Sequence, residues 1–218
     1  MRGTGIAQQF VHLHTHSEYS LLDGLSRLRD LVARAKALDM PALAITDHGA
    51  LYGAIDFYTA AKEAGIKPII GVETYIARGS RNDRDAKIEG HGKPFHLILL
   101  AKSFTGYKNL VSLVTSAHLE GYYYRPRMDK ELLREKHEGL IALSACLQGE
   151  VARAVQDLGI DAACAVAREH LEIFGPGNYY LELMSHGIPE QASVNEGIRE
   201  VSRRTGVPLV ATNDIHYV

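Results

Sequence analysis

The stretch V-H-L-H-T-H-S at residues 11–17 places three histidines at alternating positions. In an extended strand successive side chains point to opposite faces, so His12, His14 and His16 are expected to share one face. Imidazole is the commonest protein ligand of transition metals, and two nitrogens spaced in this way can reach one ion. Taken alone, the stretch is also compatible with a chance or solvated histidine cluster. The rest of the chain decides between these interpretations.

The composition is that of an ordinary globular protein, with 46% hydrophobic and 23% charged residues among 218. The formal net charge is −2, so any contact with nucleic acid is expected at a local site and not through a broad positive face. The sequence has neither a membrane-length apolar run nor a secretory leader, which predicts a cytoplasmic protein. Two cysteines, Cys146 and Cys164, cannot build a disulfide framework, so each is expected to be a buried thiol or a metal ligand.

Short apolar runs alternate with segments of helical periodicity. Predicted strands after the first stretch cover residues 42–45, 69–76, 95–100, 140–145, 179–184 and 207–212. Seven strands in this alternation predict an α/β fold, either a parallel barrel or a wound sheet. No linker divides the chain, so we expect a single domain over residues 1–218.

Metal-binding side chains follow several of these strands. They are His14, His16, His48, Cys146, Asp214 and His216. Closure into a barrel would bring the strand ends to a common centre, which favours the barrel over an open sheet. Histidines, carboxylates and a thiolate from many strand ends suit a multinuclear site, and paired metal ions suit hydrolysis of phosphate esters.

The motifs H-L-H-T-H-S, T-D-H-G, G-V-E and N-D-I-H, in this order, resemble those of the polymerase and histidinol phosphatase (PHP) family. The resemblance implies a distorted seven-stranded (β/α)7 barrel that binds two or three divalent ions of Zn, Mn or Fe. The ligands that it implies in this sequence are His14, His16, Asp23, His48, Glu73, His96, Cys146, Asp214 and His216.

Several of these positions carry an alternative or a special role. Asp23 can also be a turn residue before Gly24, and Cys146, at a position where the family usually has histidine, can be a buried thiol. Glu73 is implied as a bridging carboxylate. His96 falls at the start of its predicted strand and not at the end, which we attribute to an uncertain strand boundary.

Other residues are assigned supporting or structural roles. His12 and Asp47 are expected beside the ligands, where they would orient a ligand, contact phosphate or hold the loop. Glu182 and His186 could reach the strand ends, although no motif includes them. Loop or helix-surface positions are predicted for His91, His118, His137 and His170, and helix packing is predicted for Cys164.

The segment G-Y-Y-Y-R-P-R at residues 121–127 is predicted to be an aromatic and basic loop. Its side chains Tyr123, Tyr124, Arg125 and Arg127, with Tyr122, could hold a single-stranded 3′ end by stacking and phosphate contact. The alternative is a loop that packs against further domains of a polymerase.

Phrases outside the metal motifs, such as G-I-K-P-I-I-G-V-E and Y-Y-Y-R-P-R-M-D, are similar to N-terminal domains of the family's replicative polymerases. This implies a domain of a longer chain whose polymerase palm follows Val218, so that the present chain cannot polymerise DNA. The implied activity is that of a metal-dependent phosphoesterase, most specifically a 3′–5′ exonuclease on single-stranded DNA ends.

Two other functions stay open at this point. One is a catalytically silent, metal-stabilised scaffold that binds a separate proofreading exonuclease. The other is a free-standing phosphatase for a small ester such as histidinol phosphate, and pyrophosphate is a further possible substrate. The implied partners are DNA 3′ ends, the remaining polymerase domains and the exonuclease subunit, with no membrane.

Overall fold

In the computed structural model, residues 10–84 and 93–218 are described, and they contain seven helices and eight strands. The helices are α1 (Leu28–Ala37), α2 (Ala54–Ala64), α3 (Phe104–Leu119), α4 (Lys130–Lys136), α5 (Glu150–Asp157), α6 (Ile160–Phe174) and α7 (Pro189–Thr205). The strands are β1 (Ala42–Ile45), β2 (Lys67–Ile76), β3 (Phe95–Ala101), β4 (Tyr122–Tyr123), β5 (Arg125–Met128), β6 (Leu140–Leu143), β7 (Tyr179–Leu183) and β8 (Leu209–Ala211). No helix in these two ranges is long and apolar enough to cross a membrane.

One curved sheet contains all eight strands. Its order is β4-β5-β2-β3-β6-β7-β8, and β1 pairs with the first half of β2. The pairs β1–β2, β6–β7 and β7–β8 are parallel, as the alternation with helices predicts. The short strands β4 and β5 pair with each other, and β5 also pairs with the end of β2, so the predicted loop at residues 121–127 is partly strand.

Residues 12–16 join the two ends of this sheet. On one side the amide of Ala44 donates to the His12 carbonyl at 2.9 Å, and on the other the His16 amide donates to the Ile215 carbonyl at 2.7 Å. The segment thus lies between β1 and the chain that follows β8, and it completes a ring of seven. The distorted seven-stranded barrel is confirmed. The expectation of a regular first strand is wrong, because the chain bends at His14 and has a single isolated bridge, between Thr15 and Ile215.

Strand β3 runs antiparallel to both of its neighbours, β2 and β6. The prediction of an all-parallel sheet is therefore wrong at this strand. Its reversal places the first residues of β3 beside the carboxyl end of β2, where His96 pairs with Tyr75. The predicted boundary at Phe95 is right, and our attribution of the His96 mismatch to that boundary is wrong. The available signal was the polar, aperiodic stretch 78–94, since a parallel connection usually contains a helix.

The barrel interior below the strand ends is apolar. Ile98 lies directly opposite Glu73 in the β2–β3 register and so shares its face. It packs with Ala44, Leu100 and Leu143, all buried. The outer face of β1 packs instead against α1 and α2. The polar cluster described next therefore lies directly against an apolar layer of low dielectric constant.

Candidate metal centre

All nine predicted ligands lie at one mouth of the barrel, and the carboxylate of Glu73 is at their centre. Its Oε1 is 2.8 Å from His96 Nδ1 and 3.4 Å from His14 Nε2. Its Oε2 is 2.6 Å from His48 Nδ1 and 3.5 Å from His16 Nε2. Four imidazoles surround one buried carboxylate, which is the arrangement expected of a bridging ligand.

Asp214 brings the end of the chain to the same point. Its Oδ1 lies 3.1 Å from His14 Nε2, 3.3 Å from His16 Nε2 and 3.4 Å from His216 Nδ1. The residue has a left-handed backbone with φ of 47°, a conformation that aspartate tolerates better than most residues. The tight turn after β8 therefore turns two side chains, Asp214 and His216, towards residues near the start of the chain.

Asp23 reaches the outer edge of the cluster through a tight turn. Its Oδ1 is 3.2 Å from His48 Nε2, and its Oδ2 is 3.8 Å from His216 Nε2. The turn depends on Gly24, because a Cβ there would lie 2.0 Å from the Ser17 carbonyl oxygen. The Asp23 side chain is 52% exposed, so this is the solvent side of the mouth.

Cys146 follows β6 and adds a sulfur atom to the opposite edge. Its Sγ lies 4.0 Å from His96 Nδ1. Burial, with the negative charges of Glu73 and Asp214, raises the pKa of the thiol well above its usual range. A thiolate at this position therefore needs a nearby cation to stabilise it.

Three overlapping groups of these side chains bring their ligand atoms within 4.8 Å of one another. The groups are His16, His48 and His216; His14, His16 and Glu73; and Glu73, His96 and Cys146. His16 and Glu73 each belong to two groups. Shared ligands of this kind suit neighbouring ions better than a single ion.

Several buried ligand atoms of the cluster lie close to one another, yet none of them makes a hydrogen bond of acceptable geometry. They are His14 Nε2, His16 Nε2, His48 Nδ1, Glu73 Oε2 and Asp214 Oδ1. Buried polar atoms are almost always paired, and each unpaired one requires an explanation. These five converge on one volume and are all of types that bind divalent cations. The residues therefore fit a metal centre.

The protonation of this cluster is governed by burial and by its two central carboxylates. Burial raises the pKa of Glu73 and of Asp214, but imidazole neighbours outweigh it and hold both values well below the usual range. Burial also lowers the pKa of His14, yet Asp214 and another carboxylate, Glu182, outweigh it and raise the value well above normal. At His16 burial prevails, and the pKa is lowered. Both carboxylates are thus anionic at neutral pH.

Asp47 and Ser20 orient one ligand from behind. The Ser20 hydroxyl donates its proton to Asp47 Oδ1 at 2.8 Å. Because that proton is used, Ser20 Oγ accepts a hydrogen bond from His16 Nδ1, which lies 2.9 Å away. The lone pair of His16 Nε2 then points into the cluster. Asp47 also accepts from the Ser17 amide at 2.6 Å, which fixes the loop that leads to Asp23.

His12 lies apart from the nine. The bend at His14 breaks the expected alternation, so His12 packs edge-on against Phe10, with ring centroids 4.8 Å apart. It lines a cavity of about 200 Å³ with Leu31 and Leu43. Within the described residues its ring makes no hydrogen bond to a predicted ligand, so the expectation of a shared face is wrong.

The predicted DNA-contacting segment divides into a structural part and an exposed part. Arg127 is buried, and its guanidinium donates to the carbonyl oxygens of Gly121, Arg81 and Asp83 at 3.1, 3.1 and 2.6 Å. Its guanidinium carbon also lies 5.2 Å from the centre of the Tyr123 ring. The prediction of a phosphate contact is wrong for Arg127, because its donors hold the backbone together.

Arg125 and Tyr124 are both exposed, and Arg125 lies beside the mouth. The Arg125 guanidinium lies 5.4 Å from the ring centre of Tyr75, which is itself 5.3 Å from the ring of His96. Tyr75 thus links the exposed arginine to the cluster, and burial raises its pKa to about 12. Our sequence analysis missed Tyr75. The signal was available, since Tyr75 follows Glu73 at the two-residue period of a strand.

Glu182 is the other important residue that no motif includes. It is buried in β7, and its Oε1 lies 3.1 Å from His14 Nδ1. His186 Nε2 lies 2.7 Å from the carbonyl oxygen of Asn213, just before Asp214. The only sequence signal for Glu182 was an acidic residue in an otherwise apolar strand, Y-Y-L-E-L.

The remaining histidines and Cys164 have varied surroundings. Cys164 is buried on α6, in agreement with helix packing, and His118 Nε2 lies 2.9 Å from the carbonyl oxygen of Gly49. His170 is also buried on α6, so the prediction of a loop or helix-surface position is wrong for it. His137 ends α4, as a loop-boundary residue should. His91 lies outside the described residues.

The family model of the PHP domain matches residues 12–186. The chain belongs to the PHP domain family. It is 49% identical over 216 residues to the DNA polymerase III subunit alpha of Thermus aquaticus, covering 98% of this chain and 18% of that protein. It is 43% identical over 231 residues to the corresponding subunit of Mycobacterium tuberculosis, covering 100% of this chain and 19% of that protein. The chain thus spans about a fifth of the length of these curated relatives.

Two solved structures share the fold of this chain. One is a two-domain protein from Bacteroides vulgatus containing a predicted PHP-like metal-dependent phosphoesterase, with a TM-score of 0.58 at 16% identity over 95% of this chain and 52% of that one. Another is an amidohydrolase from Chromobacterium violaceum with bound sulfate, with a TM-score of 0.57 at 16% identity over 95% and 87% of the two chains. At this identity the likeness shows the fold alone.

Proposed function

We propose that this chain is the PHP domain of a bacterial DNA polymerase III α subunit and that it is a metal-dependent phosphoesterase. Residues 1–218 would form this single domain, and other parts of the subunit would be its neighbours. The substrate that we propose is the 3′ end of single-stranded DNA, shortened in the 3′–5′ direction. The observation that carries this proposal is the convergence of buried, unpartnered ligand atoms at one mouth of the barrel.

The nine side chains around Glu73 and Asp214 would hold two or three divalent ions of Zn, Mn or Fe. When bound, such ions polarise a phosphoryl group and lower the pKa of a water molecule, which supplies a nucleophile at neutral pH. The ligand set suits these metals because it combines imidazoles, carboxylates and one thiol.

The side chains also determine how a substrate approaches. The apolar floor formed by Ile98 and its neighbours closes the site from below, so a phosphodiester must enter from the solvent side. That side is marked by Asp23, whose side chain is half exposed, and by His216, whose side chain is 27% exposed. A single-stranded end has the flexibility to enter such a concave site.

We propose that Arg125 and Tyr124 hold the strand beside the entrance. Both side chains are exposed, and Arg125 connects to the cluster through Tyr75. A guanidinium binds phosphate oxygens, and an exposed phenol ring can stack on a base. The substrate role that we propose is therefore confined to these two residues and excludes Arg127.

The decisive experiment follows the release of nucleotides from a 3′-labelled single strand. His14→Ala and Asp214→Ala are expected to abolish release, because each removes an inward-facing ligand. The control variants His137→Ala and Asp161→Ala remove a histidine and an aspartate that lie outside the mouth, and they should retain nucleotide release. Activity in both site variants would show a contaminating nuclease. An inactive wild-type protein that nevertheless contains metal would favour the scaffold function.

A parallel assay separates the substrate classes. A small phosphate ester and pyrophosphate are offered to the same preparations under the same conditions. Faster turnover of either compound than of the single strand would contradict the proposed exonuclease activity, whereas the broader proposal of a metal-dependent phosphoesterase would stand.

The entrance residues have a kinetic test of their own. Arg125→Ala is expected to raise KM for the single strand about fivefold with kcat unchanged, because an exposed phosphate contact contributes about 1 kcal/mol. Arg199→Ala, on the surface of α7, is the matched control. Equal KM values for the two variants would remove Arg125 from the binding site.

A further inference from the structure

Glu182 contacts three segments of the chain that carry proposed metal ligands. Its Oε1 lies 3.1 Å from His14 Nδ1 and accepts a hydrogen bond from Thr212 Oγ1 at 2.7 Å. Its Oε2 accepts from the amide of Ala145. The side chain is fully buried. One carboxylate therefore connects the first segment of the barrel with the chain after β6 and the chain after β8.

The hydrogen bonds around Glu182 fix the direction of each proton. An amide can only donate, and the Thr212 hydroxyl donates to Oε1. Both oxygens of the Glu182 carboxylate act as acceptors and have no proton to give. His14 Nδ1 must therefore be the donor in its contact with Oε1. The single proton of a neutral His14 ring is then on Nδ1, and the lone pair of Nε2 points towards Asp214 Oδ1, 3.1 Å away.

Two of these contacts of Glu182, with the Ala145 amide and the Thr212 hydroxyl, lie next to further proposed ligands. Ala145 has a left-handed backbone with φ of 62°, an uncommon conformation for alanine, and it immediately precedes Cys146. Thr212 is buried two residues before Asp214. A hydrogen bond at each of these positions holds the turn that directs the following ligand into the mouth.

We propose that Glu182 is the positioning residue of the metal centre, and that it sets the tautomer of His14 and the turns that present Cys146 and Asp214. This inference rests on the proposed metal binding. Glu182 does not contact the ions; it acts through the ligands. A carboxylate is required because the site presents three donors and no acceptor. The substitution Glu182→Gln tests this requirement, because it keeps the shape of the side chain but turns an amide NH₂ towards one of these donors.

The first experiment compares Glu182→Gln with Glu150→Gln. Glu150 is another partly buried carboxylate with charged and imidazole partners, outside the mouth. Both metal-free proteins are titrated with Co²⁺, and binding is followed by the thiolate-to-cobalt absorption of Cys146. Glu182→Gln is expected to bind about 10- to 100-fold more weakly than wild type, and Glu150→Gln should bind normally. Equal cobalt affinities in Glu182→Gln and wild type would overturn the proposal.

A second measurement needs no variant at position 182. The zinc-loaded wild-type protein is labelled with ¹⁵N at histidine, and His14 is assigned by its loss in His14→Ala. We expect His14 to bind zinc through Nε2 and to retain a proton on Nδ1. Binding through Nδ1 would overturn the proposal even if Glu182→Gln does not fold. A wild-type protein that binds neither Co²⁺ nor Zn²⁺ would instead contradict the proposed function itself.

Discussion

Two groups of charged side chains in this barrel differ in the cations that they contain. One, which we call the lysine network, joins α4, α5 and α6 through Lys130, Arg134, Glu150, Glu169 and His170. Lys130 Nζ lies 2.7 Å from Glu150 Oε1 and 2.7 Å from Glu169 Oε2. The other oxygens of these carboxylates are 2.9 Å from His170 Nε2 and 2.7 Å from Arg134. Both oxygens of each of these two carboxylates thus have a partner.

The mouth cluster contains no such internal cation. In the described residues, no lysine or arginine forms an ion pair with Glu73, Asp214 or Asp23, and the partners of these carboxylates are imidazoles. Two of those imidazoles, His14 and His16, have a Nδ1 that faces a hydrogen-bond acceptor behind them. Buried charge is costly unless it is paired. The comparison teaches that the lysine network pairs its carboxylates with lysine and arginine, which are always charged, whereas the mouth offers its carboxylates only titratable imidazoles, whose positive charge a bound metal ion could replace.

Removal of metal should produce the largest difference between the two regions. With free ion at a thousand times its Kd, each bound ion stabilises the folded protein by about 4 kcal/mol. We therefore expect a chelator to lower the unfolding midpoint strongly, as measured by urea or thermal denaturation before and after reconstitution. The same loss should appear in Lys130→Met, whose mouth is intact. Identical unfolding midpoints with and without chelator would show that the mouth, like the lysine network, does not depend on metal for its stability.

Lys130→Met tests the lysine network from the other direction. The variant leaves Glu150 and Glu169 facing each other without their shared cation, and we expect a loss of about 2 kcal/mol after allowance for partial exposure. Its metal content, measured by elemental analysis, should equal that of wild type. A lowered metal content would mean that the two regions are coupled.

The pH dependence of stability should give the smallest effect. Burial raises the pKa of Glu150, but His170 and Lys130 outweigh it, so the value is lower in the folded protein than in the unfolded chain. Its contribution is then fully present above the unfolded pKa and is lost as pH falls through the folded pKa. Unfolding free energies of the metal-free protein should therefore decline less steeply below about pH 4.5 in Glu150→Gln than in wild type.

The nine residues named from the sequence come together in the structure, because residue type and position at strand ends are local properties that a sequence displays; their metal binding stays a prediction. The sequence analysis did not predict the direction of β3, because that direction depends on the connection between β2 and β3 and not on the residues of the strand itself. It also failed at Arg127, because a polar residue type suggested solvent, whereas the buried guanidinium satisfies three carbonyl groups.

His170 shows a signal that was present and overlooked. It lies on the same helical stripe as Ala163, Ala167 and Phe174, all buried on α6. Our prediction placed His170 at the surface because histidine is polar, although its helical spacing from these apolar residues indicated a buried position. Glu182 differs, since its role depends on three segments far apart in sequence, and no local pattern encodes that convergence.

The closure of the barrel by residues 12–16 has a consequence for biosynthesis. His16 is hydrogen-bonded to Ile215, so a growing chain presents its first two ligands long before Asp214 and His216 have been translated. Until then the ring cannot close, and such distant contacts are formed slowly. A nascent polypeptide therefore presents the full set of proposed ligands only after residue 216 has been translated, so complete metal loading cannot precede that point.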